Sequence, residues 1–164
     1  MATQQALTIP AADSLAERQA ARLQQAQASL PAFKGRYIAS SEEVEATATA
    51  IEELEKRPPL EWVAARIYAL LHHYFVAEVP LSVQEAIGAQ WLGELKDFPA
   101  WAIEDACAWW VGRNNSKRGK KPVPGDIGEV CERLTAPLRV ARIQIERRQR
   151  HGDNPPAFMR GGSS

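Results

Sequence analysis

Residues 91–112 read WLGELKDFPAWAIEDACAWWVG. The first part closes a stripe of Val83, Ile87, Trp91, Leu92 and Leu95, spaced as one face of a helix over about 83–96. Ser82 with Glu85 three positions on makes a capping box for it. Pro99 stops the chain and opens a new helix as its first residue. Ile103, Ala106, Cys107, Trp110 and Val111 then recur at helical spacing, and Gly112 is well placed to end the segment. Helix, proline turn, helix is the pattern that decides the fold class.

The same period extends in both directions, and strand-like alternation is absent. Upstream, Val63, Ile67, Leu70, Leu71 and Tyr74 form a wide stripe over about 60–77, which marks a central helix. Before it, Val44, Ala48, Ile51 and Leu54 predict a helix from Ser41 to Arg57, ended by Pro58 and Pro59. Ser14 and Glu17 form a capping box for a thin-striped helix to about Ser29, with Leu15, Leu23, Ala26 and Leu30 on its face. A connector with Phe33, Tyr37 and Ile38 follows it. Downstream, Pro124 starts a helix with Ile127, Val130, Cys131 and Leu134 inward, and Asp126 and Glu129 near its positive end. Pro137 is expected to break or kink it. A last helix over 138–150 sets Leu138, Ala141 and Ile145 among Arg139, Arg142, Arg147, Arg148 and Arg150. The final HGDNPPAFMRGGSS reads as disordered by composition.

The expected architecture is an all-α bundle. Residues 1–40 hold an N-terminal helix and connector, 41–136 the core, and 137–164 a basic helix and tail. All five tryptophans lie between Trp62 and Trp110, which places the core in the middle of the chain.

The 164 residues suit one domain with one modest core. Net charge is zero, yet its distribution is not even. Residues 1–112 carry 8 Lys/Arg and 15 Asp/Glu, while 113–150 carry 11 and 4. Two readings follow: two charged surfaces with different partners, or halves that neutralise one another within the molecule. The helix at 41–57 holds six glutamates before its first base, Lys56. As a docking face for a basic partner it offers Glu42, Glu45 and Glu52; as a plain solvated face it offers nothing. Trp101 and Trp109 lie off the main stripe of their helix, so each either covers a second interface or binds a partner.

Chemistry is tested residue by residue. A phosphate-binding P-loop needs Gly, four residues, then Gly-Lys-Ser/Thr after a strand. Here six residues separate Gly112 from Gly119, Lys120 is followed by Lys121, and no strand precedes. His72, His73, Cys107 and Cys131 are a conceivable zinc set, but neither cysteine has a second ligand nearby, and adjacent histidines on a helix diverge by about 100°. The cysteines read as buried structural thiols. No serine or cysteine sits in a nucleophile elbow. The expectation is a protein without catalytic residues, metal or cofactor. No stretch reaches the length of a membrane span, and no signal-peptide pattern opens the chain. A cytoplasmic location with reduced thiols follows as the expectation.

The stretch after Gly112 carries the strongest signal. Arg113, Lys117, Arg118, Lys120 and Lys121 put five cations in nine positions, beside Asn114, Asn115 and Ser116. Such clusters grip a phosphate backbone in a salt-sensitive, sequence-independent way. With Arg142, Arg147 and Arg148 of the last helix they form the candidate nucleic-acid surface. The alternative is a flexible solvated loop, with the last helix packed on the acidic helix 41–57.

The segment Pro122-Val123-Pro124-Gly125-Asp126-Ile127, with Cys131 after it, resembles part of the lambda-type phage replication protein P family. WLGELKDFPAWAIEDACAWW upstream looks like the layout of small phage helicase-loader proteins. The resemblance covers about residues 88–134. It implies an ATP-independent adaptor that binds a replicative helicase, or another host replication protein, and helps place it on single- or double-stranded DNA. It transfers no individual contact residue. Two other classes fit the same residues. One is a phage-encoded interaction module or enzyme inhibitor that ignores DNA. The other is an oligomeric structural protein of a phage particle.

Overall fold

The structure, a computed structural model, describes residues 24, 26, 28, 37–38, 40–75 and 77–156, and every named element in them is a helix. The capping box at Ser14 and Glu17, Phe33, and residues 157–164 lie outside the described residues. Five helices follow in order: α1 (Ser41–Leu54), α2 (Leu60–Leu71), α3 (Leu81–Leu95), α4 (Ala100–Val111) and α5 (Pro124–His151). The all-α expectation holds. None of these helices is long and apolar enough to cross a membrane.

Their ends follow from local chemistry. Ser40 caps α1, its hydroxyl accepting from the Glu43 N–H at 3.2 Å, as short polar side chains do for orphan donors of a first turn. α2 stops at Leu71, well before Ala77. Its chain tightens there, with the His73 N–H donating to Leu70 O at 3.3 Å and the Tyr74 N–H to Leu71 O at 3.0 Å. α3 starts two residues earlier than Val83, from Pro80, whose carbonyl accepts the Val83 and Gln84 N–H groups. Ser82 therefore lies inside the first turn and caps nothing. Pro99 flanks α4 rather than opening it. Gly112 ends α4 in extended backbone, where a Cβ would press on the carbonyls of Ala108 and Trp109 at 3.1–3.2 Å.

The largest departure is at Pro137. α5 runs unbroken through it, against the break that a mid-helix proline implies. Pro137 removes the donor to the carbonyl four residues back. Nearby carbonyls gain side-chain donors instead: Thr135 Oγ1 donates to Cys131 O at 2.8 Å and Arg139 Nη2 to Glu132 O at 3.4 Å. Burial on both sides of the proline holds the rod, with Cys131 below it and Leu138 and Ala141 above.

That continuous helix carries two cores. The main one joins Val63, Ile67 and Leu70 of α2, Trp91 and Leu95 of α3, Ile103, Ala106, Cys107 and Trp110 of α4, and Ile127, Val130 and Cys131 of α5. The second joins Ala26 with Ala50, Ile51 and Leu54 of α1 and Leu138 and Ala141 of α5. Trp101 and Ile145 pack against this second cluster, and Trp101 Nε1 donates to Leu54 O at 2.7 Å. The segment expected to be a separate basic helix is thus the wall of the second core. Val83 and Ile87, expected inward, are exposed, because among the described residues no element covers the first half of α3.

Cys107 and Cys131 are free, buried thiols, and Cys131 Sγ donates to Ala102 O at 3.5 Å. Desolvation pushes Cys107 from 9.0 up to about 11. Desolvation, reinforced by Cys107, pushes Cys131 up to about 12. The folded state therefore favours the neutral thiols. As pH rises above 9 the unfolded chain loses these protons first, so stability present below pH 9 is lost through pH 11–12. The slope reaches about 1.4 kcal/mol per pH unit for each thiol. Urea melts at about pH 8 and about pH 10 measure it against a Cys107→Ala/Cys131→Ala variant, whose alkaline loss should be clearly smaller.

Candidate nucleic-acid interface

The basic stretch between α4 and α5 is a pinned loop. Asn115 is its centre, buried despite its polarity. Its Nδ2 donates to Trp110 O at 2.7 Å, and its Oδ1 accepts the Lys117 N–H at 3.0 Å. This is the Asx turn that asparagine side chains make with the backbone two residues on. Two aromatic side chains tie down the far end. Tyr74 donates its hydroxyl to Arg118 O at 2.8 Å, and Trp110 Nε1 donates to Lys120 O at 3.2 Å. Asp126 Oδ2 accepts the Val123 N–H at 3.0 Å, fixing the turn into α5. The loop backbone is therefore anchored to α4, to the end of α2 and to the start of α5.

The anchoring leaves the charges outward. Arg113, Lys117, Arg118, Lys120 and Lys121 are all exposed. Among the described residues, none of the five is in an ion pair; Arg118 Nη1 donates only to Arg113 O at 3.2 Å. Beside the loop lies a hollow of about 270 Å³, walled by Trp109, Asn114, Ser116, Lys117 and Arg133, with Asp126 and Glu129 on its acidic side. Trp109 is 40% exposed. It meets Trp110 edge-on, and the Arg133 guanidinium sits over its ring, 5.1 Å from the centroid. A cation over an indole is held there by the ring quadrupole.

Arg133 is the residue that sequence reasoning missed. It lies on α5 and Trp109 on α4, and only the packing of these helices brings them together. The sequence offers Asn115 as a polar neighbour of the cations, of the kind that contacts phosphate; the structure makes it a buried strut.

The α5 arginines stand elsewhere. At 1.5 Å per residue, Arg142 is about 27 Å along α5 from its start, and Arg147 and Arg148 about 35 Å. Arg142 forks onto Glu55, just past the end of α1, through Nε, at 2.9 Å, and Nη2. Arg148 pairs with Asp153 and lies over the Tyr37 ring, and its Nη1 donates to Gly152 O. Arg147 is half-buried. The loop and these arginines do not form one continuous patch. Of the acidic set, Glu42, Glu45 and Glu52 are exposed on α1. Trp101, offered by sequence as a partner contact, is instead committed to the fold's own second core.

Among the described residues no cluster of His, Cys, Asp and Glu has the arrangement to hold a metal ion. No family model matches this chain, and neither a curated protein nor a solved structure does.

Proposed function

We propose that this chain is a non-enzymatic DNA-replication accessory protein of phage type. It acts as an adaptor that touches nucleic acid through the α4–α5 loop and a replicative helicase or other replication protein through a separate surface, in the cytoplasm. One observation carries the nucleic-acid half. Five exposed cations with no carboxylate partner among the described residues stand on a loop whose backbone is already fixed, next to an exposed tryptophan. A fixed loop loses little conformational entropy on binding, and unpaired cations release the counterions of a phosphate backbone. The chain-order resemblance at residues 88–134 to helicase-loader proteins supports the adaptor role. An adaptor without ATPase chemistry works by binding energy alone, so it needs two surfaces.

The test is fluorescence anisotropy with labelled single- and double-stranded DNA. With each phosphate contact contributing about 0.9 to the slope on duplex, five contacts predict that affinity falls roughly 500-fold between about 50 and about 200 mM salt. Absence of binding at the lower salt removes the DNA half and leaves a protein-docking module. That second reading has its own support in an exposed apolar surface on α2 and α3.

A further inference from the structure

Scattered apolar side chains on a protein surface are ordinary; a concentration of them marks an interaction site. Of the ten large apolar side chains exposed among the described residues, six fall between residues 60 and 87: Leu60, Tyr68, Phe75, Leu81, Val83 and Ile87. Phe75 is 91% exposed and Tyr68 73%. They belong to two neighbouring helices. On α2, Leu60 and Tyr68 lie eight residues apart with Ala64 between them, one row along the helix, and Phe75 lies just beyond its end. On α3, Ile87 precedes the buried Trp91 by four residues, so it continues the face that α3 turns to the core. α3 packs on α2, and among the described residues nothing covers its first half.

The surrounding charge says what would cover it. Between residues 57 and 97 there are five carboxylates, Glu61, Glu78, Glu85, Glu94 and Asp97, and three cations, Arg57, Arg66 and Lys96; Arg57 and Asp97 pair with one another at 2.8 Å. Arg66 is already paired with Glu104, at 3.5 Å. Glu61, Glu78 and Glu85 are exposed, and none is in an ion pair among the described residues. We infer that the α2–α3 face is a docking surface for an amphipathic helix of a protein partner, with aliphatic anchors flanked by Lys or Arg.

Other occupants fit less well. An anionic membrane would be repelled by the carboxylates that surround the apolar side chains. A second copy docking by two-fold symmetry would set the same glutamates against each other. Ala26 is engaged in the second core. The inference rests on the adaptor reading only in needing a protein partner. It stands whether or not the loop binds DNA, and its test contains no DNA.

The probe is a fluorescein-labelled helical peptide of about 18 residues, long enough for about 27 Å of helix, with leucines on one face and lysines on the other. Its controls are the same pattern with glutamate for lysine and a scrambled order with no apolar face. All are titrated against the full chain. The leucine–lysine peptide should bind, and neither control should. Tyr68→Ser/Phe75→Ser/Ile87→Ser should weaken binding by about tenfold or more, since few anchors dominate such contacts, with an unchanged melting temperature because all three are exposed. Glu61→Gln/Glu78→Gln/Glu85→Gln should weaken it severalfold and remove most of its salt dependence. Binding that survives the serine substitutions, or a scrambled peptide that binds equally, overturns the proposal. So does dimerisation in light scattering that the serine variant abolishes, or capture by anionic vesicles in place of the peptide. Failure here together with salt-sensitive DNA binding would leave the loop's role intact.

Discussion

Replacing Lys117, Arg118, Lys120 and Lys121 with glutamine should cut duplex affinity about 100-fold at low salt and reduce the salt slope by about 3.6. Four phosphate contacts at about 0.9 each give that figure. The fold should not change. All four side chains are exposed, and the bonds that shape the loop use backbone atoms of these residues rather than their charges: Tyr74 to Arg118 O, Trp110 to Lys120 O and Asn115 to the Lys117 N–H. The one side-chain bond lost is that from Arg118 to Arg113 O, at the surface. Melting temperature should therefore move by little, as for most surface substitutions. Paired anisotropy titrations and thermal melts decide it. An unchanged slope would take the loop out of the nucleic-acid surface, whatever happened to the affinity. A slope change without loss of stability would place the phosphate contacts on these four side chains.

The second large effect concerns the two cores. Leu95→Ala should cost about 4 kcal/mol and Leu54→Ala about 2 kcal/mol, within the range for buried leucines. Both leucines are completely buried, so side-chain exposure alone predicts equal losses. Their surroundings differ. Leu95 sits in the main cluster, which draws buried side chains from four helices and so leaves a cavity there less room to collapse. Leu54 closes the last turn of α1 over a small cluster rich in alanine. α1 and α5 also bury Thr47 Oγ1 and Gln144 Oε1 without hydrogen-bond partners among the described residues, each a cost to keeping the two helices packed. The Glu55–Arg142 pair at the cluster's edge is exposed enough to add little. Urea denaturation gives the two losses. Hydrogen exchange should show α1 opening below the global free energy in Leu54→Ala, and the whole bundle opening together in Leu95→Ala. Equal losses with uniform exchange would mean that the two clusters act as one core.

Much of this was readable before any coordinates. Trp91, Leu95, Ile103, Ala106, Cys107 and Trp110 announce their helices by spacing, and burial bears out each of them. The proline turns before α2, α3, α4 and α5 are local as well, since a proline suits the residue just before a helix or its first position. The five cations of the loop are legible because they lie within nine positions of the chain.

What adjoins in space but not in sequence was decided by packing. Pro137 reads as a break, and the chain passes straight through it, because burial on both sides outweighs one missing donor. Val83 and Ile87 have the spacing of a core stripe, yet periodicity says only that a helix has an apolar face, not that anything lies beneath it. By pattern Trp101 could cover a second interface or meet a partner, and the structure sets it against Leu54 in the second core. Arg133 joined Trp109 only when α5 was laid against α4. The sequence by itself determined the helices, most of their ends and the cationic loop, because those depend on neighbours within a turn or two. The tertiary structure decided which apolar faces stay open and which arginines remain free of carboxylates, because both depend on where one helix stops along another.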